Sequence, residues 1–199
     1  MSDSLIASYA RSLHDAVAQA GASDRVGTTI PLETAVRRMG LAMKAATEQG
    51  NRIFFVGNGG SAGIASHLAI DFSKNGGMRA VSLNDAAALT CIGNDFGYEY
   101  VFSKQLEWQA TQGDILVAIS SSGRSKNILN AAKVALDRGC DVFTLSGFER
   151  DNALRKMGSI NIYVANPSYG FVEVSHFAIL HGVLDIEMGW RPAAKVDAA

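Results

Sequence analysis

From Asn51 onward the chain alternates short apolar runs with helical stretches, and this alternation constrains its fold more than any other feature. The runs are RIFFV (52–56), MRAVSL (78–83), DILVAIS (114–120), DVFTLSG (141–147) and INIYVA (160–165). As a set they are short and apolar on both faces, the pattern of strands buried from both sides. Between them lie SAGIASHLAIDFSK, YVFSKQLEWQA, KNILNAAKVALDRG and DNALRKMG, and a last helix, FVEVSHFAILHGVLDIEM, begins near Phe171. Strands alternating with helices predict a parallel sheet covered by helices, an α/β fold.

The first fifty residues follow a different period. DSLIASYARSLHDAVAQA places Leu5, Ile6, Tyr9, Leu13 and Val17 on one stripe, and IPLETAVRRMGLAMKAATEQG does the same with Leu32, Val36, Met39, Met43 and Ala46. Gly50 supplies a helix stop. Residues 1–50 therefore read as a helical hairpin, whose stripes must lie on the core or on another subunit. The expected layout is a single domain over 1–199, with the α/β core at 51–190 and a tail, RPAAKVDAA, at 191–199.

The bulk numbers narrow the function. With 48% hydrophobic and 19% charged residues the chain is expected to fold rather than stay disordered. A net charge of -1 offers no general field for nucleic acid or anionic lipid, so any anion site must be local. Cys91 and Cys140 form no CxxC pair and read as reduced thiols. The first residues lack the basic start and unbroken apolar core of a signal peptide, and no apolar run approaches the ~20 residues needed to cross a bilayer. A cytoplasmic protein without nucleic-acid or membrane partners is expected.

Two strand-to-helix turns are unusually small and polar. The first is Gly57-Asn58-Gly59-Gly60-Ser61, and in the second Ser120, Ser121, Ser122 and Ser125 surround Gly123. In a parallel sheet such turns lie where ligands gather. Hydroxyls, free backbone N–H groups and a helix N-terminus make an anion cradle suited to a phosphate monoester. The GKS/T ending of a nucleoside-triphosphate loop and the GxGxxG spacing of a dinucleotide fold are both missing.

His67 and Asp71 follow the first turn four residues apart, so they share a helix face. Glu173 and His181, eight apart, share another. Together they could hold zinc or another divalent ion, or act as acid and base without metal. His176 reads as a packing or surface residue.

GNGGSA, then His67, then TCIGNDFGYEYVFSKQL and GDILVAISSSGRSKNIL, resemble the sugar isomerase (SIS) family, closest to its bacterial phosphoheptose isomerase branch. The likeness runs from about residue 30 to residue 188. It implies a five-stranded parallel sheet flanked by helices, flavodoxin-like in order, in a homotetramer with active sites shared between subunits. It implies aldose–ketose isomerisation of a sugar phosphate, sedoheptulose 7-phosphate being the family's substrate. Ser61, Ser120, Ser122 and Ser125 would hold the phosphate with Ser121 adjacent, Gly59 and Gly60 shaping the turn. Asn58, Asp95 and Glu173 would lie near the substrate. His67, Asp71, Glu173 and His181 match the family's metal ligands, and Asp71 and His181 its acid–base pair. The family usually carries Glu at position 71, Gln at 173 and Asp at 170, where this chain has Asp71, Glu173 and Gly170. A relative that associates with a replication initiator is a protein-binding scaffold, and other SIS proteins sense phosphosugars; these are the alternatives to an enzyme.

Overall fold

The computed structural model describes residues 4–192, so residues 193–199 of the expected tail lie outside the described residues. The first half of the chain runs α1 (Leu5–Ala18), β1 (Gly21–Ser23), β2 (Thr29–Ile30), α2 (Leu32–Glu48), β3 (Ile53–Gly57), α3 (Gly60–Lys74) and β4 (Ala80–Ser82). The second half runs α4 (Ala86–Asp95), α5 (Ser103–Gln109), β5 (Ile115–Ser120), α6 (Lys126–Asp137), β6 (Asp141–Gly147), β7 (Ile160–Val164) and α7 (Tyr169–Glu187).

All five apolar runs are strands, β3 to β7, and they pair in parallel with one another. Their order across the sheet, β4-β3-β5-β6-β7, is the flavodoxin-like doubly wound order, with its switch point between β3 and β5. The expectation of five parallel strands needs correction, because the sheet has seven strands and is mixed. Antiparallel β1 lies along β7, pairing Gly21–Ser23 with Asn161–Tyr163, and β2 folds back on β1. The physical cause is local turn chemistry: Asp24 Oδ1 accepts the N–H groups of Val26 (3.0 Å) and Thr28 (2.8 Å) and closes the ribbon. Asn161 Nδ2 then ties the ribbon down by donating to the carbonyls of Ser23 (3.3 Å) and Asp24 (3.1 Å). The added ribbon covers the otherwise open edge of β7.

The sheet's two faces carry separate apolar clusters, as alternation along a strand requires. Ile53, Phe55, Val117 and Ile119 face α2, α3 and α7, while Phe54, Val56, Leu116 and Ala118 face α5 and α6. Both N-terminal helices form where their stripes predict, yet the ribbon separates them and each packs along α7. Val36, Met39, Met43 and Ala46 of α2 are buried. On α1 the stripe is only partly covered: Leu5 is 91% and Ile6 74% exposed, whereas Val17 packs on the core.

Two segments differ from the periodic reading. DNALRKMG forms a single 3-10 turn, Leu154–Lys156, because Asn152 draws the backbone inward by donating to the Gly147 and Glu149 carbonyls. Helix α4 carries almost no apolar stripe, with Ile92 its one buried residue, and starts on Asp85, whose side chain accepts the Ala88 N–H at 2.9 Å. Both cysteines are free, Cys91 exposed and Cys140 buried. No helix among the described residues is long and apolar enough to cross a membrane.

Candidate active site

Both polar turns leave the carboxyl ends of β3 and β5, on either side of the switch point. At Gly57 a β-carbon would lie 2.5 Å from the Ser61 carbonyl oxygen, so glycine alone lets the chain turn into α3 so tightly. Gly123 has φ +60, and the Asn152 carboxamide fills the space a β-carbon would take. Within the second turn Ser120 Oγ accepts the Gly123 N–H (3.2 Å) and lies 3.4 Å from Ser125 Oγ. Ser122 Oγ accepts the Arg124 N–H at 3.3 Å. Ser121 Oγ is buried and has no hydrogen-bond partner within the described residues. Asn58, Ser61, Ser120, Ser121, Ser122 and Ser125 meet around one cavity of about 120 Å³, joined by Ile119, Tyr169 and Glu173.

Asn58 is fixed from two directions. Its carboxamide and that of buried Asn127 exchange hydrogen bonds, at 2.9 and 2.8 Å, across the two turns. The Tyr98 hydroxyl adds a third bond to Asn58 Oδ1, at 3.2 Å. Sequence reading overlooked Asn127, Tyr98 and Tyr169. The one available signal was Asn127, an amide directly after the serine turn on the side where α6 meets the sheet.

The second group joins α3 to α7. His67 Nε2 lies 3.0 Å and His181 Nε2 3.8 Å from the same oxygen of Asp71. The two imidazole rings are 5.4 Å apart, and Phe177 packs edge-on against both. Ligand atoms of His67, Asp71 and His181 all lie within 4.8 Å of one another. Two imidazole nitrogens and a carboxylate oxygen so converged fit zinc or another borderline divalent ion. Glu173 stands outside this trio. Its carboxylate rests against Gly60, where it lines the serine cavity and also a groove of about 350 Å³ that contains His67 and Phe177.

Asp95 is exposed at the end of α4 and lines neither cavity, with Asn94 Nδ2 (2.8 Å) and Cys91 Sγ (3.7 Å) on its carboxylate. Gly59, with φ +54, has open space where a side chain would be. His176 is fully buried and donates from Nε2 to the Ser146 carbonyl at 3.0 Å. Burial pushes its imidazole from 6.5 down to about 4, so it is neutral at pH 7.

Set beside known proteins, residues 24–147 match the SIS domain. The chain belongs to the SIS-domain family. Its SIS relatives include the phosphoheptose isomerase of Aliarcobacter butzleri, 38% identical over 78% of this chain and 86% of that protein. The phosphoheptose isomerase of a Bradyrhizobium species is 36% identical over 92% of each chain. Among solved SIS structures, the phosphoheptose isomerase of Francisella tularensis superposes with a TM-score of 0.79 at 30% identity, covering 93% of this chain and 97% of that one. That of Neisseria gonorrhoeae gives the same TM-score, 0.79, at 29% identity.

Proposed function

We propose that this protein is a phosphosugar isomerase that converts sedoheptulose 7-phosphate to D-glycero-D-manno-heptose 7-phosphate. Relatives named phosphoheptose isomerase, matched along most of their length, support the reaction. The observation that carries it in this chain is the position of Glu173, which borders both the serine cavity and the groove holding His67. One phosphorylated sugar can thus be held at its phosphate end while its other end approaches the acid–base groups.

The phosphate is received by Ser61, Ser120, Ser122 and Ser125 with Ser121 beside it, at two helix N-termini that favour an anion. This remote binding energy holds the reacting carbons in place. Of Asp71 and His181, one takes the proton from C1 while the other protonates the C2 oxygen, giving an enediol. Return of a proton to C2 and loss of the O1 proton complete the aldose, with no net gain or loss of atoms. The two groups lie 3.8 Å apart, close enough to share the proton traffic. A divalent ion such as zinc, held by His67, Asp71 and His181, would polarise the sugar oxygens.

The reading extends to a cytoplasmic homotetramer serving heptose synthesis for lipopolysaccharide or capsule. Support for assembly comes from the apolar residues that α1 leaves exposed, Leu5, Ile6 and Tyr9. Convergence of two histidines and a carboxylate favours an enzyme over a scaffold, which has no use for that geometry. Turnover of sedoheptulose 7-phosphate by the purified protein, with added zinc and with chelator, tests the proposal. Aldose formation is expected, and His181→Ala should abolish it while the protein stays folded. Substrate that binds but is never converted would overturn it.

A further inference from the structure

Phe148 follows the last residue of β6 and has φ +54, the one left-handed backbone among the described non-glycine residues. A residue with a β-carbon holds that conformation only where its surroundings enforce it. Here they do so on both sides. The Phe148 N–H donates to the Asn166 carbonyl at 3.3 Å, and its carbonyl accepts the Tyr163 hydroxyl at 2.8 Å. The ring so directed packs against Tyr169, with centroids 4.8 Å apart and planes at 87°. Tyr169 opens α7 and is the one aromatic among the described residues that line the serine cavity, though 62% of its surface is exposed.

We propose that Tyr169 is a specificity-determining wall of this cavity that contacts the carbon chain next to the phosphate, and that Phe148 is the residue positioning it. The inference rests on the phosphosugar reading above. At about 120 Å³ the cavity is far below the ~300 Å³ of a whole small-molecule site, so it takes one end of a ligand while the rest passes its rim. Serine hydroxyls and Asn58 already supply the polar contacts that end needs. An exposed ring at the rim offers the apolar face that the C–H groups of a sugar chain require. Strain in the backbone of Phe148 is accounted for by the ring it aims, since a relaxed φ would carry that ring away from Tyr169.

The test is steady-state kinetics on Tyr169→Ala, Tyr169→Phe, Phe148→Leu and the Phe148→Leu/Tyr169→Ala double variant, with inorganic phosphate as competing inhibitor. Tyr169→Ala should raise KM for sedoheptulose 7-phosphate about tenfold with little change in kcat, the usual scale of a lost apolar contact. Inhibition by inorganic phosphate should stay unchanged in Tyr169→Ala, and Tyr169→Phe, which keeps the ring, should restore most of the affinity that Tyr169→Ala loses. Phe148→Leu should raise KM part of the way, and should add nothing once Tyr169 is Ala, because it acts through that ring. An unchanged KM in Tyr169→Ala, an equal loss for inorganic phosphate, or fully additive effects would each overturn the proposal. If the wild type binds the sugar phosphate without converting it, the isomerase reading fails alone. The ratio of sugar-phosphate to phosphate affinity, measured by calorimetry on the same variants, then decides the role of Tyr169. If neither ligand binds the wild type, both readings fall.

Discussion

The Glu173 carboxylate on α7 occupies the space that a β-carbon on Gly60 would fill at the start of α3. A single hydrogen at position 60 thus lets one carboxylate border the serine cavity and the histidine groove together. Gly60→Ala should push Glu173 aside and lower kcat/KM about 10²-fold, the scale of an ångström-sized misplacement. Folding should suffer little, because alanine suits a helix and Gly60 has an ordinary helical backbone. Kinetics together with a thermal melt check this, and full activity in the variant would show that Glu173 need not sit there.

Removing the shared carboxylate of the trio should weaken metal binding. Asp71→Asn keeps the shape and loses the charge that lies near both histidines. Zinc affinity, followed by calorimetric titration, should fall by at least ~10²-fold, since changing even the groups behind a ligand costs 10–100-fold. Wild-type affinity in Asp71→Asn would place the ion away from His67 and His181. Glu173→Gln, titrated alongside, reports whether that side chain joins the ligand set.

Asn127 holds Asn58 through paired amide bonds, so Asn127→Ala strips the Asn58 side chain of two of its three hydrogen bonds and leaves Tyr98 as its partner. Loss of a buried pair of this kind should cost about 1–3 kcal/mol, read from urea unfolding. With the two turns no longer tied together, KM should rise more than kcat falls. A variant with lowered stability and an unaltered KM would make Asn127 a folding residue only.

His176 gives a pH dependence of definite sign. Its imidazole titrates at about 4 in the folded protein against 6.5 when free, so between those values the unfolded chain binds a proton that the folded one refuses. Its contribution to stability is complete above 6.5 and is lost as the pH falls toward 4, about 3 kcal/mol across that window. Urea unfolding at pH 7 and pH 4.5 should show the drop in the wild type and a smaller one in His176→Gln. Equal slopes in the two proteins would refute the assignment.

Much of the fold and part of the site could be read directly from the residues. The five parallel strands were legible because each run is apolar on both faces, a local property of a strand covered by helices. The two turns were legible because glycines and serines break those runs at strand ends, and the His67–Asp71 contact follows from a spacing of four on one helix. The β1–β2 ribbon escaped notice because strands of three and two residues carry no period, and β1 pairs with a strand some 140 positions away. Helix α4 escaped because it lacks an apolar stripe.

What chain order and residue type settled was the five parallel strands, the helices with an apolar stripe and the chemistry of the turns, since periodicity and turn preference act over a few residues. Packing settled the rest. Contact of His181 with Asp71, placement of Glu173 against Gly60 and the left-handed Phe148 behind Tyr169 each join segments far apart in the chain. No local preference encodes those meetings. They arise only when α3, α6 and α7 close on the sheet and bury its two faces.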